Sequence, residues 1–377
     1  MGLLTGFMRE CAAGVVRETN HLRVRAMYAM GFLTYRCTSR CRTCTIWQRA
    51  GEDNSAELSR AQWLAVIDQL HAYGIGSFEL FGGDALLRDD AIFDVIAACR
   101  DRGIETYFPT NSIKCDRNTV RRLVQSGLDT IYLSLDEIGE DNDGIRGVDG
   151  AFQRVKETLE AFVAERGDRP CPSIIVCTTL SSMNFRSFPK ILDFLGNYPV
   201  NAVYPRPLGE FDPENVRRSE MDGRVPEPYF ATSDGQSHLL SADQVAEMRK
   251  VFAQVKRRKG GVYVNLQNYY LLDDEAFTRG TYPVRQCHVA SLLATINPNG
   301  DVVPCPFFRS YVIGNLKDQS LDEIWGNEAH RRFLKRQRSG NLPICRNCNM
   351  RLYYPSMREQ FSYYAERALE KCGAKPL

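Results

Sequence analysis

From residue 24 to about residue 207 the chain alternates short apolar runs with longer stretches of helical period, an alternation that few folds can accommodate. The runs at 27–35, 77–81, 105–109, 130–135, 173–179 and 202–205 are too short for helices and rich in aromatic and branched residues, as buried strands are. Between them, 59–73, 89–102, 118–126, 151–165 and 185–195 read as helices. Six such βα units in series require a parallel α/β sheet with right-handed crossovers, either curved into a partial barrel or opened as a doubly wound sheet. In both, ligands gather at the carboxyl ends of the strands.

The stretch 209–236, rich in charge, Pro and Gly, interrupts this pattern and reads as a long loop or lid, or as a plain surface insertion. A helix at 242–259 and a strand at 262–266 follow, and then a cysteine-bearing tail that reads as a separate small domain. The expected division is an N-terminal extension (1–23), an α/β body (24–280) and the tail (281–377). With 48 basic and 46 acidic residues and a net charge of +2, the chain has no overall field to collect nucleic acid or an anionic membrane. The basic run HRRFLKRQR at 330–338 reads as a solvated helix face. The opening MGLLTGFMRE lacks a signal peptide's apolar centre, and no run reaches the roughly 20 apolar residues of a membrane span, so a cytoplasmic location is expected. Thirteen cysteines in a reducing compartment point to metal before disulfides.

The first strand runs into YRCTSRCRTCTIW, which sets Cys37, Cys41 and Cys44 in one tight loop. Four thiolates would close a cluster or a zinc tetrahedron, whereas three leave one metal position open to substrate or cofactor. A zinc loop with its fourth ligand elsewhere, or three unrelated buried thiols, would show the same spacing.

CTSRCRTC also resembles the CxxxCxxC motif of the radical S-adenosylmethionine (radical SAM) superfamily. The resemblance implies a partial (β/α)6 barrel and a 4Fe–4S cluster whose open iron is chelated by S-adenosylmethionine, which is cleaved to a 5′-deoxyadenosyl radical. Thr43 stands where the family usually has an aromatic residue near the adenine. In FGGDALLRDD, Gly82, Gly83 and Asp84 are similar to the Gly-Gly-Glu segment that receives the methionine amino group, with Asp one methylene shorter. Asn111 closes the third strand, Ser134 and Asp136 of SLD resemble the family's ribose-binding pair, and Arg146 of GIRG matches a partner of the methionine carboxylate. Each alone would pass for a turn, a cap or a surface charge; their order on consecutive βα units carries the resemblance.

The tail offers Cys287 and Cys305, separated by twelve residues, a glycine and four more, and then Cys345 and Cys348 as a CxxC pair. Four thiolates suit a structural zinc site or a closed cubane equally. The spacing, followed by GNL and SLDEIW, resembles the SPASM or twitch extension of radical SAM enzymes. Only Cys372 lies beyond Cys348, which implies the shorter form with one auxiliary 4Fe–4S cluster.

A closed thiolate site has no open iron, so its implied task is electron transfer. The expected function is therefore a radical SAM oxidoreductase that takes a hydrogen from a small polar metabolite of sugar, aminocyclitol or aminoglycoside type and oxidises it, an alcohol dehydrogenation. The dehydrogenase of butirosin biosynthesis is one such relative, and antibiotic biosynthesis is the implied setting. An external electron donor such as flavodoxin or ferredoxin is the implied partner. Competing outcomes are a peptide maturase, an epimerase with Cys177 or Cys115 returning a hydrogen, and a non-catalytic zinc-binding module. Tyr204 and Arg206, at the end of the sixth strand, are further pocket candidates.

Overall fold

A computed structural model describes residues 14–15, 18–20, 24–51, 54–258, 260–282, 287–353, 357 and 361. Most of the expected N-terminal extension, and Cys372, lie outside them. Six parallel strands follow the expected order: β1 (Tyr28–Phe32), β2 (Ser77–Phe81), β3 (Glu105–Thr110), β4 (Thr130–Ser134), β5 (Ser173–Leu180) and β6 (Ala202–Pro207). The helices between them are α1 (Arg60–Tyr73), α2 (Ile92–Asp101), α3 (Arg117–Ser126), the short α4 (Glu140–Arg146), α5 (Ala151–Arg166) and α6 (Phe188–Leu195).

Local chemistry sets these boundaries. Ser59 opens α1 with a reciprocal capping box to Gln62, and Asp116 accepts the Thr119 amide at the start of α3; each such cap stabilises its helix by about 1 kcal/mol. Side chains alternate across the strands, so on β2 Phe78 and Leu80 are fully buried while Glu79 and Phe81 are only partly so. Trp63, Val66, Ile67 and Leu70 of α1 belong to the same buried core as Phe78, and Trp63 and Phe78 meet ring to ring. Burying one such aromatic contributes about 2–3 kcal/mol.

The tail expected as a separate small domain sends a strand into the barrel sheet. β7 (Leu293–Ile296) lies parallel to β1, with Tyr28 opposite Leu293 and Gly31 opposite Ile296. The short β8 (Asp301–Val303) and β9 (Gly314–Asn315) follow antiparallel, giving the order β6-β5-β4-β3-β2-β1-β7-β8-β9. The strand expected at 262–266 does not form: only Val264 bridges Val203, through Val203 N–H to Tyr263 O and Asn265 N–H to Val203 O. Gly260 and Gly261, both at positive φ, turn the chain just before it, and pairing with β6 stops at this one bridge. The 209–236 stretch holds one short helix, α7 (Pro213–Arg217), and then folds over the strand ends. α8 (Ala242–Arg257) follows it, and α9 (Glu328–Arg338) packs within the tail. Among the described residues no helix is long and apolar enough to cross a membrane.

Candidate active site

The loop bearing Cys37, Cys41 and Cys44 is fastened on three sides by backbone hydrogen bonds. Gly83 and Asp84 donate to Thr34 and Arg36, Arg40 and Arg42 donate to Arg146 and Ile145, and Thr45 donates to Tyr229 of the 209–236 stretch. The two glycines after β2 serve this loop directly. A Cβ on Gly82 or Gly83 would collide with the carbonyls of Thr34 or Arg36, so the glycines let cysteine-loop backbone, rather than a ligand, come close.

All three thiols are enclosed. Burial pushes Cys37 and Cys44 up to about 12. Burial also raises Cys41, opposed by Arg146, whose Nη1 lies 3.9 Å from its sulfur. Asn111 Nδ2 stands 3.9 Å from the Cys37 sulfur and the Ser39 amide 3.5 Å. Three sulfurs thus sit among hydrogen-bond donors in the wall of a cavity of about 540 Å³ inside the barrel. That donor set fits an iron–sulfur cluster with one open corner.

Of the residues singled out by sequence, Gly82, Gly83, Asn111, Ser134, Arg146, Cys177 and Arg206 line this cavity. Asp84 and Asp136 do not; they brace residues that do. Asp84 accepts from the Thr38 hydroxyl at 2.6 Å and from the Leu86 amide, and Thr38 in turn accepts from Asn111. Asp136, 1% exposed, holds Arg146 at 2.8 Å and accepts the Thr179 amide at 2.7 Å. Both carboxylates were expected to touch cofactor; the structure turns them toward the protein. Cys115 is buried away from the cavity, with its carbonyl bonded by Thr158 of α5, so it does not reach the site. Tyr204 lies beside the cavity, its ring 6.4 Å from Tyr132 and under the Arg206 guanidinium.

Other lining residues were not expected from the sequence: Glu79, Tyr107 and Tyr132 from inside the barrel, Tyr229 and Phe230 from the 209–236 stretch, and Asn349 and Met350 from the tail. Tyr229 packs against Phe32, Phe81, Phe230 and Phe307, so this stretch supplies aromatic surface beside Thr43. The aromatic pair in PEPYF, within an otherwise polar Pro-rich segment, was the available clue.

In the tail, Cys287, Cys305, Cys345 and Cys348 line one apolar cavity of about 40 Å³, walled by Phe307, Phe308, Phe333 and Ile344. Burial pushes Cys305 up to about 12 and raises Cys345 and Cys348 as well, and the sulfurs reinforce one another. Among the described residues no three His, Cys, Asp or Glu side chains close to single-ion spacing. Four thiols lining one apolar cavity are a donor set that fits a closed iron–sulfur cluster. Met350 lines both this cavity and the barrel cavity.

Residues 32–195 match the radical SAM superfamily, and residues 287–349 match the SPASM iron–sulfur cluster-binding domain. The chain is 31% identical over 299 residues to a PqqA peptide cyclase of Methylocella silvestris, covering 78% of this chain and 72% of that one. It is 30% identical over 324 residues to an Fe-coproporphyrin III synthase of Methanosarcina barkeri, again covering 78% and 72%. Its fold matches Streptococcus suis SuiB bound to S-adenosylmethionine with a TM-score of 0.60, at 17% identity, over 89% of this chain and 76% of that one.

Proposed function

The chain belongs to the radical SAM superfamily and carries its C-terminal SPASM domain, and from that premise we propose that it oxidises a small polar metabolite of sugar, aminocyclitol or aminoglycoside type at an unactivated C–H bond. Its cofactors are a 4Fe–4S cluster, S-adenosylmethionine and an auxiliary cluster. Bound together, the first cluster and S-adenosylmethionine supply the 5′-deoxyadenosyl radical that removes the hydrogen.

In this reading Cys37, Cys41 and Cys44 hold the first cluster, and Cys287, Cys305, Cys345 and Cys348 hold the auxiliary one. Arg146, kept charged and oriented by Asp136, receives the methionine carboxylate. Gly82 and Gly83 edge the amino group, and Asp84 sets that edge through Thr38 and Asn111. Ser134 lies within reach of the ribose. Tyr229 and Phe230 cover the adenine and keep water out of the cavity.

One observation carries the oxidative reading: the substrate cavity and the four-thiol cavity share Met350 as a wall. An electron leaving the substrate would find the tail site next door. A second reading, peptide maturation, is supported by the similarity to a PqqA peptide cyclase.

The test offers anaerobically reconstituted protein aminocyclitols and aminosugars, and separately short precursor-type peptides, in deuterium oxide with a reductant. The expected result is that the metabolites stimulate 5′-deoxyadenosine formation and return a product two hydrogens lighter, with no deuterium at the reacting carbon. Stimulation by peptides alone would replace this reading with maturation. A product of unchanged oxidation state with one deuterium would replace it with epimerisation through Cys177, which faces the cavity.

A further inference from the structure

Strand alternation turns Ser77, Glu79 and Phe81 of β2 toward the barrel interior. Glu79 is the one of these that chemistry does not explain. It stands mid-strand, in register with Met30 on β1 and Tyr107 on β3, and its carboxylate opens on the cavity. Among the described residues no hydrogen bond reaches that carboxylate, and the one charge acting on it is the Arg206 guanidinium. Arg206 is itself engaged, with Cζ 5.4 Å over the Tyr204 ring and a hydrogen bond to the Cys177 thiol.

The groups facing Glu79 from the other strands are Tyr28, Tyr107, Tyr132, Cys177, Tyr204 and Arg206. Tyr107 and Tyr132 meet edge to face, with centroids 6.2 Å apart, and form an aromatic corner beside the carboxylate. Burial pushes Glu79 up to about 7, with Arg206 opposing. A desolvated carboxylate without donors is a costly arrangement unless something arrives to meet it. A hydroxyl would bring a hydrogen bond but no charge. An alkylammonium brings both, and the faces of Tyr107 and Tyr132 suit its positive hydrogens.

We propose that Glu79, with Tyr107 and Tyr132, forms the seat for a protonated amine on the substrate. This deepens the metabolite reading and rests on it: among polar metabolites, the substrate is one that carries a basic nitrogen.

The probes are cyclohexylamine and cyclohexanol, two rings of one shape that differ in charge, titrated into the reconstituted full-length protein and followed by ligand-observed NMR. Wild-type protein should prefer the amine by about tenfold. Amine affinity should rise about tenfold from pH 6 to pH 8, because Glu79 ionises in that window while the amine stays charged. Glu79→Gln, with its fold certified by full iron content, should lose both the preference and the pH dependence. Equal affinity for the two probes, binding of neither, or an unchanged preference in Glu79→Gln overturns the proposal. If Glu79→Gln does not fold, the wild-type pH dependence alone decides, and a flat profile overturns it. Failure of the wild type to form 5′-deoxyadenosine would strike the underlying enzyme reading instead, and the probe titrations do not depend on that result.

Discussion

The two cysteine sites line cavities that share one residue, Met350, and are built on opposite principles. In the barrel, three thiols line a roomy, partly polar cavity, with Arg146, Asn111 and the Ser39 amide turned toward their sulfurs. In the tail, four thiols ring a small cavity whose walls are almost wholly apolar. The first leaves a ligand position open and surrounds it with groups that recognise charge. The second closes its donor set and shields it, which suits a store or relay of electrons. Openness and the count of sulfurs therefore go together, and chemistry is assigned to the site with fewer ligands.

The largest way to break this contrast is at the open site. With both sites filled the protein should hold about eight iron atoms, and Cys37→Ala, Cys41→Ala, Cys44→Ala should retain about four and lose all S-adenosylmethionine cleavage. Iron analysis and 5′-deoxyadenosine quantification check both; loss of all iron in a folded variant would deny the tail a cluster. The converse variant, Cys345→Ala, Cys348→Ala, should still cleave S-adenosylmethionine with a strong chemical reductant while oxidised product disappears. Undiminished product would remove the tail from the reaction.

Smaller effects sharpen the contrast between a site braced by charge and one braced by apolar packing. Asp136→Asn leaves Arg146 enclosed without its partner, so chemical denaturation should show a loss of about 3–5 kcal/mol. The tail's weak point is acid. His330 of α9 is fully buried, accepts the Gly326 amide on Nδ1 and meets the Ala290 carbonyl through Nε2. Burial lowers its pKa to about 4. Because the folded pKa lies below the unfolded value, its contribution is complete above about pH 6.5 and falls progressively between there and pH 4. The loss should approach about 3 kcal/mol and be absent in His330→Gln, as thermal melts across that range would show.

The barrel was legible because its information is local. The strand expected at 77–81 is β2 to the residue, and Ser59, read as the start of a helix, is the cap of α1. The cysteines, glycines and Arg146 could be singled out from the sequence because they follow one another at fixed places on successive βα units. The 262–266 strand failed because its apolar run was real but its pairing partner, β6, offered only Val203. Asp84 and Asp136 could be singled out in the same way, yet no pattern in the chain tells whether a carboxylate points at a ligand or at its neighbour. Glu79 was passed over because one charged residue in a buried strand looks like an interruption until five other strands close around it. The pairing of β7 with β1 joins segments more than 260 residues apart, and nothing near either end announces it.

That pairing has a mechanical consequence. β1 runs straight into the loop of Cys37, while β7 follows directly on the segment of Cys287, so a continuous ladder of peptide hydrogen bonds ties the two thiol groups to one frame. The segments that carry Cys37 and Cys287 are thereby held by neighbouring strands of one sheet. Charge passing between them would cross a fixed gap, and its rate should be indifferent to solvent viscosity, which slows only what has to swing.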